Sequence, residues 1–196
     1  MANGSHWSLR SKPILFIPLI LLIPLILVVY WSMRNGISPT PSSRKQILEI
    51  FRAIPPEFSG KIYDLGSGWG TLAIALSKHS SSCKIIGIEN SIIPYIVSEL
   101  LVWLLRIKHV EFHFANFLKY DFGDAGVIVC YLYPGGMQKL KPGLEAYLKS
   151  GTIVISNTFA IPGWTPVERF RASDLYHSPV YVYKFETGLG GTTSEE

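Results

Sequence analysis

The stretch Asp64-Leu65-Gly66-Ser67-Gly68-Trp69-Gly70 holds the residues of this chain best suited to chemistry. An acid precedes three glycines in a Gly-x-Gly-x-Gly pattern, at a point where an apolar run ends and a helical one begins. Glycines there let the backbone approach a ligand closely, and the acid offers acceptors to hydroxyl or amino donors. The spacing is not the Gly-x-Gly-x-x-Gly of a dinucleotide site. Cradling a phosphate would also call for a nearby positive charge, and Lys61 and Lys78 stand at the far ends of the flanking elements. A ligand with hydroxyl and amino groups fits better than a pyrophosphate. Glu89 ends the next apolar run, 25 residues after Asp64. A carboxylate at that place can accept hydrogen bonds from both hydroxyls of a ribose.

The surrounding pattern supplies elements that can position these residues. Apolar runs at Lys61–Leu65, Lys84–Glu89, Glu111–Ala115, Gly126–Leu132 and Gly151–Asn157 read as strands, and Pro179–Phe185 reads as a late edge or hairpin strand. Helices are expected from Ser42 or Ser43 to Ala53, over Thr71–Lys78, over Ser91–Ile107 and over Lys139–Lys149. Strands alternating with helices predict an α/β fold: a Rossmann-like, mostly parallel sheet with helices on both faces. Ligands of such sheets bind at the carboxyl ends of the strands, which is where Asp64 and Glu89 fall.

Composition separates this domain from what precedes it. The chain has 196 residues, only 16% of them charged, and a net charge of +4. Residues 1–45 carry Arg10, Lys12, Arg34, Arg44 and Lys45 and no acid, so the remaining 151 residues hold 13 basic and 14 acidic side chains. The body is nearly neutral and lacks the clustered cations of a phosphate-backbone binder, so no nucleic-acid partner is expected. Ile14–Trp31 is 18 residues without a charge, 19 with Pro13. At about 1.5 Å per residue it nearly crosses a hydrocarbon core of roughly 30 Å. The expected organisation is a basic flank at 1–12, a transmembrane anchor at 13–31, a linker at 32–43, the α/β domain at 44–187 and a polar tail at 188–196. Basic residues flank both ends of the apolar run, so charge alone does not orient it. His79, His109, His113 and His177 show no ligand spacing and no metal is expected. Cys83 and Cys130 read as free thiols.

On these residues the chain resembles the class I S-adenosylmethionine-dependent methyltransferases. Asp64-Leu65-Gly66-Ser67-Gly68-Trp69-Gly70 is similar to their first motif and Glu89 to their ribose-binding acid. The resemblance implies that Asp64, Gly66, Ser67, Gly68 and Gly70 line the methionine end of S-adenosyl-L-methionine. It puts Asn116 where many members carry an Asp facing the adenine, with Phe117 packing on that ring. The apolar helix ahead of the domain, Val129–Met137 and the Phe159–Pro166 loop are similar to the small membrane-anchored protein-lysine methyltransferases of mitochondria, of the ATP synthase c-subunit and adenine nucleotide translocase type, and their bacterial relatives. Trp69 and Thr71 depart from that family's pattern, and Tyr131-Leu132-Tyr133-Pro134 lacks the Asp/Asn-Pro-Pro-Tyr of enzymes that methylate nucleic-acid amino groups.

The implied activity is N-methylation of a lysine in a protein, with a membrane protein as one class of target. The catalytic domain is expected on the cytosolic or matrix side, where the cofactor is available. An amine must be neutral to attack, and a dry pocket beside a sulfonium lowers a lysine pKa without a dedicated base. Tyr131, Tyr133, Pro134 and Trp164 are the candidates for the acceptor pocket. Two alternatives stand beside this: methylation of a lipid or other small apolar acceptor, and a non-catalytic cofactor-binding or assembly protein.

Overall fold

The computed structural model describes residues 41–79 and 82–187, together with Leu22, residues 25–31 and Met33. The flank 1–12, most of the apolar run 13–31, most of the linker 32–43 and the tail 188–196 lie outside these described residues. Residues 25–31 are helical. Among the described residues no helix is long and apolar enough to cross a membrane.

One sheet organises the domain. Its strands are β1 (Lys61–Leu65), β2 (Lys84–Glu89), β3 (Val110–Phe114), β4 (Val127–Cys130), β5 (Ile153–Asn157), β6 (Glu168–Arg171) and β7 (Pro179–Lys184). They lie in the order β3-β2-β1-β4-β5-β7-β6. The first five pair in parallel, and β7 runs antiparallel to both β5 and β6. Four helices flank them: α1 (Arg44–Ala53), α2 (Thr71–His79), α3 (Ile92–Leu105) and α4 (Pro134–Tyr147). A 3-10 turn, Phe117–Lys119, follows β3.

Side chains alternate across a strand, and this divides the interior in two. Ile62, Ile85, Val127 and Val129 meet Ile50 of α1 and Leu72 and Leu76 of α2 on one face, with α3 joining through Tyr95 and Val102. Leu65, Ile86, Ile88, Ile128 and Val154 meet Met137, Leu140 and Leu144 of α4 on the other. A strand buried on both faces reads as an unbroken apolar run, as Val127–Cys130 does. At the entrance to the domain, Ser43 Oγ accepts from the Gln46 N–H at 3.2 Å and Gln46 Oε1 accepts from the Ser43 N–H at 2.8 Å. This reciprocal cap fixes the start of α1.

Several elements differ from the sequence expectation. α4 begins at Pro134 rather than Lys139, because a proline at the first helical turn forfeits no intrahelical bond. Pro142 lies inside that helix. β4 ends at Cys130, so Tyr131–Tyr133 leave the sheet as a loop. α3 is shorter, stopped by Arg106 in a left-handed conformation at φ 54°. β6 falls in a stretch without strand periodicity: Glu168-Arg169-Phe170-Arg171 is a charged edge strand, the kind that resists further pairing. β7 takes the hairpin alternative rather than the edge one, since it pairs antiparallel with β6, which covers it.

Candidate active site

The turn after β1 is built by hydrogen bonds to the end of β2. The N–H groups of Gly66 and Ser67 both donate to the Ile88 carbonyl, at 2.9 and 3.1 Å. Gly68 N–H donates to Glu89 Oε2 at 2.8 Å, and Gly70 N–H donates to the Ser67 carbonyl at 2.9 Å. Gly66, Gly68 and Gly70 take φ values of +77°, +53° and +73°. Left-handed geometry at alternate positions accounts for the Gly-x-Gly-x-Gly spacing. Gly70 answers a second demand. A Cβ there would stand 2.5 Å from the Phe112 ring and 2.8 Å from Ser98 Cβ, and one on Gly87 would stand 2.4 Å from the same ring. These glycines let the turn and β2 close around Phe112.

Glu89 is buried, and its carboxylate is already engaged. Besides Gly68 it accepts from the Ser91 N–H at 2.7 Å through Oε1. It therefore braces the glycine turn against the entry to α3, and each oxygen retains acceptor capacity toward the cleft. Asp64 is its counterpart on β1, 4% exposed. Its Oδ2 has no hydrogen-bond partner among the described residues, and neither does Ser67 Oγ. Burial pushes the Asp64 carboxyl up to about 7, the nearby Glu89 charge adds to the rise, and a backbone hydrogen bond from Ala73 opposes it.

A cleft of about 250 Å³ opens at the carboxyl ends of β1, β2 and β4. Asp64, Gly66, Ser67, Gly68 and Glu89 line it, as do Asn116, Phe117, Tyr131 and Tyr133. Asn116 caps the 3-10 turn, its Oδ1 accepting from the Leu118 N–H at 3.0 Å. Phe117 reaches back over the turn, with its ring 3.9 Å from where a Gly66 Cβ would stand. Tyr131 stacks on Phe159 with centroids 6.4 Å apart. Gly70 and Pro134 support these walls from outside the lining, as a packing glycine and as the first residue of α4.

Trp164 is not at the cleft. It is 5% exposed, packed against Tyr183 and Phe185, and its indole N–H donates to Glu145 at 3.2 Å. The expected pocket role is replaced by a core role, because the Pro-Trp-Thr-Pro loop folds onto the α4 face of the sheet. Ile161 N–H donates to the Tyr183 hydroxyl there at 3.0 Å. Trp69 of the glycine motif also lines the cleft, and so do residues with no site role expected from sequence: Pro41, Ser42, Asn90, Ser91 and Lys139. Lys139 and Gly136 are one helical step apart and share a side once α4 is known to start at Pro134. No local signal brings Pro41 and Ser42 here. They are held by a contact distant in sequence, in which Asn157 Nδ2 donates to Ser42 Oγ at 3.1 Å.

Two acceptors buried in the cleft wall without donors, between a ribose-suited acid and an aromatic ring, fit a ligand carrying an amino group, hydroxyls and a purine. This sheet order and this site define a class I S-adenosylmethionine-dependent methyltransferase. Residues 64–168 match the model of the ANTKMT methyltransferase domain, and the chain belongs to that family. It is 32% identical over 151 residues to a protein-lysine N-methyltransferase of Saccharolobus islandicus, an alignment covering 74% of this chain and 90% of that protein. It is 28% identical to the mouse adenine nucleotide translocase lysine N-methyltransferase over 63% of this chain and 52% of that one, so it spans about half of the mouse enzyme. Among solved structures, an RNA methyltransferase from Salinibacter ruber in complex with S-adenosyl-L-homocysteine superposes with a TM-score of 0.67 at 26% identity, over 80% of this chain and all of that one. S-adenosyl-L-methionine is the cofactor.

Proposed function

We propose that this protein N-methylates a lysine side chain of a protein substrate. The observation that carries the reading is the 32% identity with a protein-lysine N-methyltransferase across nine-tenths of that enzyme. The cleft is compatible with it. Asp64 and Ser67 would hold the amino-acid end of the cofactor, Glu89 its ribose, and Phe117 with Asn116 its adenine. When bound, the cofactor supplies an electrophilic methyl group on a positively charged sulfur. The chain's own part is positioning and exclusion of water, effects that can supply roughly 7–11 kcal/mol. Tyr131 and Tyr133, at the end of β4, form the aromatic side of the cleft on which an amine would enter. Their ring faces favour a cationic or methylated amine, and the dry surroundings favour its neutral form for attack.

Residues 13–31 are proposed as a single-pass anchor, with the domain on the side where the cofactor is made or imported. Leu25, Ile26 and Val29 are exposed and apolar on the helical part of that run, which supports the reading. A membrane protein then becomes the favoured substrate.

Purified protein incubated with methyl-labelled cofactor and membranes should yield labelled methyllysine after acid hydrolysis. Label confined to lipid, or to RNA, would overturn the lysine reading and keep the enzyme class. Tight cofactor binding with no labelled product in any fraction would favour a non-catalytic role.

A further inference from the structure

The outward side of α3 is largely apolar, with Glu99 as its one exposed acid. Ile92, Ile96, Leu100 and Leu104 recur every four residues and Trp103 stands three after Leu100, which places them on one side of the helix. All five are exposed, from 38% at Ile92 to 74% at Trp103. Ser98 and Glu99 are engaged with backbone groups. Ser98 is buried and donates to the Tyr95 carbonyl, and Glu99, at the edge of the stripe, accepts from the Phe112 N–H of β3. Phe114 continues the apolar surface at the end of β3, 49% exposed. Soluble helices reverse this arrangement, with charged residues outward. A contiguous exposed patch of this kind marks an interaction surface.

The occupant is set by what borders the stripe. Arg106 and Lys108, both exposed, stand directly after Leu105. Charge complementarity decides the occupant, since the groups at the C-terminal end of the stripe are cations that suit an anionic surface. A bilayer needs only an apolar wedge, an amphipathic aromatic and flanking cations for its anionic headgroups. We propose that α3 lies in the interfacial layer of an anionic membrane, with Ile96, Leu100, Trp103 and Leu104 inserted and Arg106 and Lys108 at the headgroups. The stripe starts at Ile92, directly after the cleft residues Asn90 and Ser91. Docked in this way, the site opens close to the bilayer surface, and an acceptor borne by a membrane protein reaches it without leaving the membrane. This contact is separate from the proposed anchor at 13–31 and does not depend on it.

The test uses the full chain. Cys83 and Cys130 are buried, so a cysteine placed at Trp103 is the accessible thiol and can carry an environment-sensitive fluorophore. Leu175→Cys, at a position 86% exposed, is the control. Each labelled protein is mixed with vesicles of phosphatidylcholine containing phosphatidylglycerol and with nitroxide-bearing lipids. Retained cofactor binding verifies the fold of each variant. The probe at 103 should shift to the blue and be quenched, while that at 175 should not. Removing two charges with Arg106→Gln and Lys108→Gln should weaken the partitioning of this face about fivefold per charge.

A probe at 103 that stays in water on vesicle-bound protein would overturn the proposal and leave the anchor standing. A probe already shielded without lipid, with a cross-link to a second copy or to residues 13–31, would also overturn it and name the true occupant. Absence of any vesicle binding would overturn both readings.

Discussion

Asp64 and Glu89 are two buried acids with different work. Glu89 is satisfied by two backbone N–H groups. Glu89→Ala strands both donors in a buried turn, at a cost of about 1–3 kcal/mol each. Its melting temperature should fall well below that of Glu89→Gln, which keeps one acceptor oxygen, and calorimetry should find cofactor affinity lost in the alanine variant. Asp64 is the unsatisfied partner, with its carboxyl raised from 3.8 to about 7. Between those two values the folded state holds a proton that the unfolded chain has released. Apoprotein stability contributed by this group therefore falls as pH rises from about 4 to about 7 and is level above. Denaturant midpoints across that range should show the slope in the native chain and lose it in Asp64→Asn. With Asp64 holding the cofactor's amino group as proposed, binding would call on the ionised carboxylate, and affinity should increase through the same window. The binding heat near pH 7 should depend on the buffer's ionisation enthalpy, because a proton leaves.

At the scale of elements, the close fit of the glycine turn, β2 and β3 is the mechanical feature of the site. Gly87 and Gly70 make room for one ring, that of Phe112. Overpacking at such a contact costs about 1–3 kcal/mol, and a left-handed φ adds roughly 1–2 kcal/mol for a non-glycine residue. Gly70→Ala meets both penalties and Gly87→Ala only the first. Chemical unfolding should rank Gly70→Ala below Gly87→Ala in stability. In a double-mutant cycle, Phe112→Leu should recover part of the loss in Gly87→Ala, where Ser67 Oγ is the second neighbour, and less of that in Gly70→Ala, where the left-handed φ and the Ser98 Cβ remain. The turn after β1 and the entry to α3 move as one unit, because Glu89 bonds to both. Disturbing either should lower cofactor affinity along with stability.

Over the whole molecule, the two faces of the sheet carry different duties. On the α4 face, Trp164, Tyr183 and Phe185 are packing, while Gly136 and Lys139 at the start of α4 line the cleft. Trp164→Phe should lower the melting temperature and leave kcat for methyl transfer unchanged. Tyr133→Ala, at the cleft, should raise KM for the acceptor or lower kcat with little change in melting temperature. The opposite result for the pair would return Trp164 to the acceptor site. The segment just ahead of α1 also belongs to this scale. Asn157, at the end of β5, holds Ser42 against the cleft, so Pro41 and Ser42 form part of its wall.

Much of this was legible in the chain itself. Short apolar runs marked the five parallel strands, most plainly β4, where burial on both faces leaves no polar position to vary. The glycine spacing marked the turn, because only glycine takes alternate left-handed φ values without strain. Asp64 and Glu89 were legible by their place at strand ends. Tertiary structure alone decided the rest. Trp164 went to the core because a loop's destination depends on which face has room, and an aromatic in a Pro-rich loop looks the same either way. The β6 strand stayed hidden because an edge partner needs no apolar pattern. Ser42 and Pro41 reached the cleft through a hydrogen bond spanning more than a hundred residues, and no local rule encodes a contact that only the closed fold creates.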